Sequence, residues 1–164
     1  MRISARTAYG VELMTELARH YGNGRMSLRA LAAGTHISEK FLSQLVLPLK
    51  ACGVIHVVRA KQGGYALSRP PRQISMADII SALEGGLALA DCLPMPQVCA
   101  KSKQCACRFV WQCMSEGLEK SLQKVSLAEV VTKGKLGCCP PPQNGSAGAS
   151  RSRVNRKGGA IRKI

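Results

Sequence analysis

The segment 27–67 constrains the fold of this 164-residue chain more than any other. Ser27 is a predicted N-cap of a short helix, a glycine-containing turn follows at 34–36, and Ser38 is the predicted N-cap of a second helix that ends at Gly53. A β-branched run, a basic glycine-ended turn and a second short apolar run come next. Two short helices joined by a tight turn and followed by a hairpin are typical of a winged helix-turn-helix.

Helical periodicity predicts four further helices outside this segment. Residues 3–21 carry apolar side chains at helical spacing, and a second helix is expected to begin at Ser75 and to stop before Gly85. A longer helix is predicted at 109–125, and Ser126 caps a short one after it. The predicted fold is therefore mostly α-helical, with a small β-hairpin as the wing.

The long helix predicted at 109–125 has an apolar stripe that needs a surface to cover it. A small chain offers few places to bury such a face, so we expect this helix to pair with its counterpart in a homodimer. The alternative is that the helix packs back on its own domain. The residues of the stripe are Val110, Met114, Leu118, Leu122 and Val125.

The formal charge of +15 is unevenly distributed. Residues 1–72 hold eleven Lys and Arg against three Glu, a net charge of +8, and residues 73–136 hold seven basic and six acidic residues, a net charge of +1. Residues 137–164 hold six basic residues and no acid, and they are rich in Gly, Pro and Ser.

We predict a DNA-binding winged helix-turn-helix at 1–72, a cluster-binding loop with a dimerisation helix at 73–136, and a basic disordered tail at 137–164. The tail is either inert or binds phosphates without sequence preference.

Double-stranded DNA is the polyanion that a winged helix-turn-helix implies. The helix that follows Ser38 is expected to enter the major groove, where Gln44 can read adenine and Lys40 can reach guanine or a phosphate. The wing tip is placed to follow the backbone or enter a narrow minor groove. The predicted DNA contacts are Ser38, Lys40, Ser43 and Gln44 on the helix, Arg59 and Lys61 on the wing, and Arg2, Arg6 and Arg29 at phosphates.

Five cysteines fall within 22 residues, at Cys92, Cys99, Cys105, Cys107 and Cys113. Charged residues interrupt any signal-peptide core near the N-terminus, and no stretch approaches the roughly 18 apolar residues that span a bilayer, so we expect a cytoplasmic protein without a membrane partner. In a reducing cytosol this density of thiols predicts an iron–sulfur cluster rather than disulfides. Zinc and a metal-free thiol switch are the alternatives.

Catalytic motifs are not evident. The sequence contains no nucleophile–base constellation, no Walker loop and no dinucleotide fingerprint, and its few carboxylates are not paired. We therefore do not expect an enzyme.

The most specific motif begins in the predicted wing. The string RAKQGGYALSRPP at 59–71, followed by ISMADII at 74–80 and ALEG at 82–85, resembles the signature of the Rrf family of bacterial winged-helix regulators. The resemblance covers about residues 1–135. It implies a homodimeric bacterial transcription factor, a repressor in our interpretation, whose long C-terminal helix forms the dimer and which binds a near-palindromic operator.

The loop cysteines resemble those of the cluster-binding, IscR-like and NsrR-like branch of this family. There, three cysteines hold an iron–sulfur cluster that alters DNA affinity in response to redox state, nitric oxide or cluster status. The resemblance assigns that role to Cys92, Cys99 and Cys105, with a [2Fe–2S] or a [4Fe–4S] cluster. The CymR-like branch lacks the cysteines and answers to a protein partner, which is the alternative for this chain.

The fourth ligand is left open by two departures from the family pattern. Arg108 stands where the IscR-like branch has a ligating histidine, and arginine does not ligate. NsrR-like relatives use a carboxylate from the partner's first helix at the place where this chain has Ala8. The remaining candidates are Cys107, Cys113 and Glu12, which lies one turn after Ala8.

Overall fold

The structure, a computed structural model, describes residues 3–58 and 63–134. Within them the chain forms six α-helices and a two-stranded antiparallel sheet, which confirms the mostly helical winged fold. The predicted tail at 137–164 lies outside the described residues. The elements in chain order are α1 (Ala5–Arg19), α2 (Leu28–Thr35), α3 (Glu39–Ala51), β1 (Ile55–Val58), β2 (Gly64–Leu67), α4 (Met76–Glu84), α5 (Ala106–Gln123) and α6 (Leu127–Lys133).

Serine caps start the two helices of the helix-turn-helix, as predicted. Ser27 Oγ accepts a hydrogen bond from the Ala30 amide at 3.1 Å, and Ser38 Oγ accepts one from the Phe41 amide at 3.4 Å. Each bond satisfies an amide that the first helical turn leaves without a partner. The start of α3, and with it the direction of its outward face, is therefore set by local chemistry.

The turn between α2 and α3 differs from the prediction. We expected α2 to end at Ala33 and the turn to be made by residues 34–36, but α2 continues to Thr35. His36 makes the turn, with a left-handed φ of 56°. Gly34 instead lies against Glu16 of α1, because a Cβ there would lie 2.8 Å from Oε1 at the flexible end of that side chain.

The wing is an antiparallel hairpin whose base belongs to the core. Ile55 pairs with Leu67 and both are buried, whereas His56 pairs with Ala66 on the other face of the hairpin. Met26 forms an isolated antiparallel bridge to Tyr65 on the edge of β2 away from β1, with backbone N–O distances of 3.0 and 2.8 Å. The tip at 59–62 lies outside the described residues.

Two capping boxes join the C-terminal part of the chain to the winged helix. Ser75 with Asp78 caps α4, and Ser126 with Glu129 caps α6. The two caps lie side by side, because the Leu127 amide donates to the Ile74 carbonyl and the Met76 amide to the Val125 carbonyl, both at 2.8 Å. Leu127 and Ile74 are fully buried, so α6 completes the core.

The core uses every helix except α5. Its fully buried side chains come from α1, α2, α3, α4, α6 and the base of the wing. The helix predicted at 109–125 begins three residues earlier, at Ala106, because the Arg108 amide already donates to the Cys105 carbonyl at 3.1 Å. None of its 18 residues is buried. Among the described helices, none combines the length and the hydropathy that a bilayer crossing requires.

Candidate functional site

The two faces of α3 separate core from solvent. Leu42, Leu45, Val46 and Leu49 are buried, whereas Lys40, Ser43 and Gln44 are exposed on the opposite side and Ser38 is exposed at the N-cap. The structure thus brings together the four residues predicted to read DNA. They lie on the N-terminal turns of the helix, which is the part that a helix-turn-helix presents to base edges.

Ser43 is oriented by the helix backbone. Its Oγ donates a hydrogen bond to the Lys40 carbonyl at 2.7 Å. Because the hydroxyl proton is used within the helix, this side chain presents an acceptor to its surroundings. An acceptor at this point suits the amino group of cytosine or adenine in the major groove.

Leu47 is a functional candidate that the sequence analysis missed. Its side chain is 68% exposed, although it is one of the large apolar residues of α3. It follows Gln44 by three residues and therefore continues the outward stripe. An exposed apolar group beside polar readers suits contact with a thymine methyl. The signal was the helical spacing 40, 43, 44 and 47, which distinguishes Leu47 from the buried leucines around it.

The predicted phosphate contacts are only partly described. Arg6 is exposed on the first turn of α1 and Arg29 is exposed on α2. Arg2, Arg59 and Lys61 lie outside the described residues, so their roles stay predictions.

A hydrogen-bonded cluster around the carboxylate of Glu84 lies beside Arg6, where α1 meets α4. The Ser4 and Thr7 hydroxyls both donate to Glu84. These hydrogen bonds, with the charge of Arg6 adding to them, hold the pKa of Glu84 below its ordinary value. Gly10 lets α1 pack closely on α4, because a Cβ there would clash with the Leu83 side chain, which precedes Glu84 on α4. The start of α1 is therefore firmly joined to the end of α4.

Backbone groups of the loop cysteines are hydrogen-bonded, whereas their thiols are free. The Cys99 carbonyl accepts from the Ser102 amide at 3.0 Å, and the Cys105 carbonyl accepts from the Arg108 amide at 3.1 Å. Cys92, Cys99 and Cys105 are half-buried and form no disulfide with any cysteine that the structure describes. Cys105 is also the N-cap of α5, and its side chain makes no capping hydrogen bond.

Arg108 joins the two ends of the cysteine loop. Its guanidinium donates to the Cys92 carbonyl and, at 3.3 Å, to the Leu93 carbonyl. These bonds join the start of the loop to the first turn of α5, across 15 and 16 residues of sequence. Arg108, which stands where the IscR-like branch has a ligand, therefore hydrogen-bonds to the loop backbone.

The remaining candidate ligands are dispersed in a single chain. Cys107 and Cys113 are exposed on α5, and Glu12 is exposed on α1. Over residues 3–58 and 63–134, no group of three or more His, Cys, Asp and Glu side chains gathers in a metal-binding arrangement. The three loop thiols therefore line the loop without converging.

Comparison with known proteins identifies the family. Residues 3–133 match Rrf2, described as an iron-dependent transcriptional regulator. The regulator CymR of Bacillus subtilis (strain 168) is 32% identical over 132 residues, which cover 80% of this chain and 91% of that protein. The solved structure of CymR, the global cysteine regulator of B. subtilis, has a TM-score of 0.64 at 31% identity, covering 81% of this chain and 98% of that one. T. potens IscR has a TM-score of 0.63 at 33% identity, covering 82% and 88%. The chain belongs to the Rrf2 family and is a winged helix-turn-helix transcriptional regulator, not an enzyme.

Proposed function

We propose that this protein is a homodimeric repressor that binds a near-palindromic operator, and that its loop cysteines hold an iron–sulfur cluster whose state sets DNA affinity. One observation carries the proposal. In a single Rrf2 chain, a loop with three half-buried, unpaired thiols leads directly into an 18-residue helix that buries none of its side chains.

The homodimer is supported by the composition of the exposed face of α5. Met114, which is 50% exposed, follows exposed Val110 and Trp111 by four and three residues, so the three side chains are neighbours on one side of α5. Phe109, 72% exposed, lies further round the helix. Monomeric proteins rarely leave apolar side chains grouped in this way uncovered. The same helix of a second copy presents the same face, so a two-fold axis covers both helices at once. The alternative that α5 packs on its own domain accounts only for Leu118 and Leu122, which are half-buried.

The operator geometry follows from the dimer. A two-fold axis places two copies of α3 on one face of the duplex, so the half-sites are centred about one helical turn apart, ~34 Å, or a multiple of it. Within each half-site Gln44 reads adenine and Lys40 contacts guanine or a phosphate. Leu47 adds contact with a thymine methyl. Arg6 and Arg29 position the protein on phosphates without reading sequence.

The donor set fits an iron–sulfur cluster in its chemistry. Soft thiolates are the ligands that such clusters take, and Cys92, Cys99 and Cys105 are all free cysteines. Their convergence requires the loop to close. The loop contains only two short 3₁₀ turns, Pro96–Val98 and Ser102–Gln104, and such turns have few hydrogen bonds to break.

The chain has a means of transmitting loop closure to the dimer. Cys105 is the N-cap of α5, and Arg108 on the first turn holds the Cys92 and Leu93 carbonyls. Any movement that gathers the thiols therefore acts on the first turn of the helix that we propose as the dimer contact. When bound, the cluster supplies a centre that responds to oxidants and nitric oxide. The protein supplies the connection from the loop to α5 and so to the spacing of the two α3 helices.

The fourth ligand comes from Cys107, Cys113 or Glu12. Cys107 is two residues from Cys105 on the first turn of α5, whereas Cys113 lies further along that helix. Glu12 is exposed on α1 and would be contributed by the second copy. Ligation by Glu12 would make cluster binding and dimerisation interdependent, and ligation by a cysteine of the same chain would not.

A cluster-free regulator controlled by a protein partner is the second candidate, favoured by the 32% identity with CymR. A regulator that uses the thiols as a zinc site or as a thiol switch is a separate alternative, since four thiolates also suit zinc and exposed Cys107 and Cys113 are accessible to oxidants. These candidates share the DNA-binding function and differ only in the use of the thiols.

Anaerobic purification followed by iron, sulfide and zinc analysis and visible absorbance distinguishes them. We expect a coloured protein with stoichiometric iron and sulfide, and near-complete loss of both in Cys99→Ser. Cys52→Ser is the matched control, because Cys52 is exposed at the end of α3, outside the loop. A colourless protein with stoichiometric zinc would overturn the cluster while leaving DNA binding intact. Metal-free protein whose operator affinity ignores both substitutions would support the CymR-like candidate.

A further inference from the structure

A cavity of about 360 Å³ lies between the end of α1 and the base of the wing. Its described lining comes from the last turn of α1, the α1–α2 loop and the two strands of the wing. None of these residues belongs to α3 or to the cysteine loop. The cavity is therefore separate from both sites described above, and its size is at the lower end of the roughly 300–1,000 Å³ typical of ligand sites.

The charged and polar lining of the cavity favours an anion. Arg25, His20 and His56 line it, and no Asp or Glu occurs among its described lining residues. Arg25 carries a permanent positive charge, and its guanidinium matches the geometry of a carboxylate. The imidazoles of His20 and His56 add further hydrogen-bonding groups to the lining.

The remaining walls favour an aromatic body. Tyr21 and Tyr65 are among the lining residues, together with buried Leu17 and Leu67, which contribute apolar surface. Aromatic rings bind flat apolar groups by offset stacking or edge contacts. A ligand with a small aromatic ring and one carboxylate therefore matches both parts of the lining.

An open strand edge gives the cavity further hydrogen-bonding groups. The backbone of Tyr65 pairs with Met26, on the side of β2 away from β1. Backbone groups alternate in direction along a strand, so Leu67 points to the same edge as Tyr65. The chain before Met26 turns away at Gly24, whose φ is 94°. The Leu67 backbone therefore faces the cavity where a longer strand would have covered it.

We propose that this cavity binds a small aromatic carboxylate, with the carboxylate at Arg25 and the ring among the tyrosines. The ligand would contact the α1–α2 loop and the wing together, and so hold the wing in one position relative to the helix-turn-helix. Occupancy would then alter DNA affinity. This last step rests on the proposed use of the wing in DNA binding, whereas the site itself does not.

Titration of the full-length protein with benzoate, followed by heteronuclear NMR in the absence of DNA, tests the site. We expect saturable shifts of Arg25, His56 and Tyr65, and an affinity about tenfold lower in Arg25→Gln, because a charge-assisted hydrogen bond is lost. His56→Gln, at an exposed strand position, is a second variant that should also bind benzoate less tightly than the wild type. Lys50→Gln removes the same charge from the exposed end of α3 and should stay within about twofold of the wild type.

Four results would overturn the site or its ligand class. Equal benzoate affinity in Arg25→Gln and wild type, or an equal loss in Lys50→Gln, would overturn the site. Benzyl alcohol binding as tightly as benzoate would overturn recognition of the carboxylate. Inorganic phosphate binding as tightly as benzoate would overturn recognition of the ring.

The coupling is tested with a duplex that the protein itself selects from a random pool. Saturating benzoate should change the duplex affinity of the wild type by about fivefold or more and leave that of Arg25→Gln unchanged. Benzoate binding with no change in duplex affinity would overturn the coupling and leave the site standing. Failure to bind any duplex would instead count against the proposed function, and the NMR titration would be unaffected by it.

Discussion

The winged-helix part, residues 3–84, and the α5 part, residues 87–125, differ in how completely each buries its apolar side chains. Leu13, Leu31 and Leu42 of the first part are fully buried. In the second part, α5 leaves Phe109 and Met114 largely exposed. Burial of apolar surface is the main favourable contribution to folding, so the first part contains its own stabilising core and the second does not.

The same difference appears in the polar groups. In the winged-helix part the helix caps and the Glu84 cluster are satisfied within the chain. In the α5 part, the thiols of Cys92, Cys99 and Cys105 have backbone support but no sulfur partner among the described residues. The first part is thus complete in a single chain, whereas the second would be completed, under the proposed function, by a second copy and a bound group.

The largest expected effect is on the core of the winged-helix part. Leu42→Ala should reduce the free energy of unfolding by about 2–5 kcal/mol, because Leu42 is fully buried and its removal leaves a cavity. Met114→Ala, on α5, should reduce the free energy of unfolding by clearly less, and the size of this reduction should depend on protein concentration. Urea unfolding followed by circular dichroism at two concentrations measures both. Equal losses of unfolding free energy in the two variants, independent of protein concentration, would show that the two parts do not differ in how they are stabilised.

The second prediction concerns the dimer. Met114→Glu places a charge on the apolar face of α5 in both copies and should weaken dimerisation by about 30-fold or more, ~2 kcal/mol. Sedimentation of a dilution series measures the change. Asn23→Asp adds the same charge at an exposed position of the α1–α2 loop and should leave the dimer unchanged. A dimer that tolerates Met114→Glu would have to form through another surface.

Features encoded within a few residues were predicted well from the sequence. The caps at Ser27, Ser38, Ser75 and Ser126 are all present, because a cap depends on a side chain and an amide three residues away. The same local logic failed at the end of α2. There the left-handed residue is His36, and Gly34 lies against Glu16, a contact made with another helix.

Features that depend on distant residues were not predictable. The sequence indicates that Arg108 cannot be a ligand, but its bonds to the Cys92 and Leu93 carbonyls arise from the path of the loop in space. The exposure of Leu47 could have been inferred from helical spacing. The cavity beside Arg25 could not, because it forms where α1, a loop and the wing meet.

The third prediction separates base reading from phosphate contact within the winged-helix part. Gln44→Ala should cost about 1–3 kcal/mol on the selected operator and relax the preference at one position, because a base-specific pair is lost. Arg6→Ala should weaken binding to all duplexes and reduce the salt dependence by about one phosphate contact. Fluorescence anisotropy at several salt concentrations, on cognate and random duplexes, measures both. Identical losses on both duplexes in Gln44→Ala would argue against α3 as the reading helix.

The smallest effect concerns acid stability at the junction of α1 and α4. Hydrogen bonds from Ser4 and Thr7 hold the pKa of Glu84 below its ordinary value of 4.5. A carboxyl group whose pKa is lowered by folding contributes stability above its unfolded pKa and loses it as pH falls through the folded pKa. The melting temperature of the wild type should therefore fall from about pH 5 downward, in part because Glu84 becomes protonated.

Glu84→Gln cannot ionise, so its melting temperature should start lower at neutral pH and fall less steeply in acid, converging with the wild type below the folded pKa. Scanning calorimetry across this pH range measures the slopes of the wild type and Glu84→Gln. If the two have the same acid slope, the Ser4–Thr7–Glu84 contact does not contribute to the stability of the winged-helix part, and packing such as that of Gly10 on Leu83 joins α1 to α4.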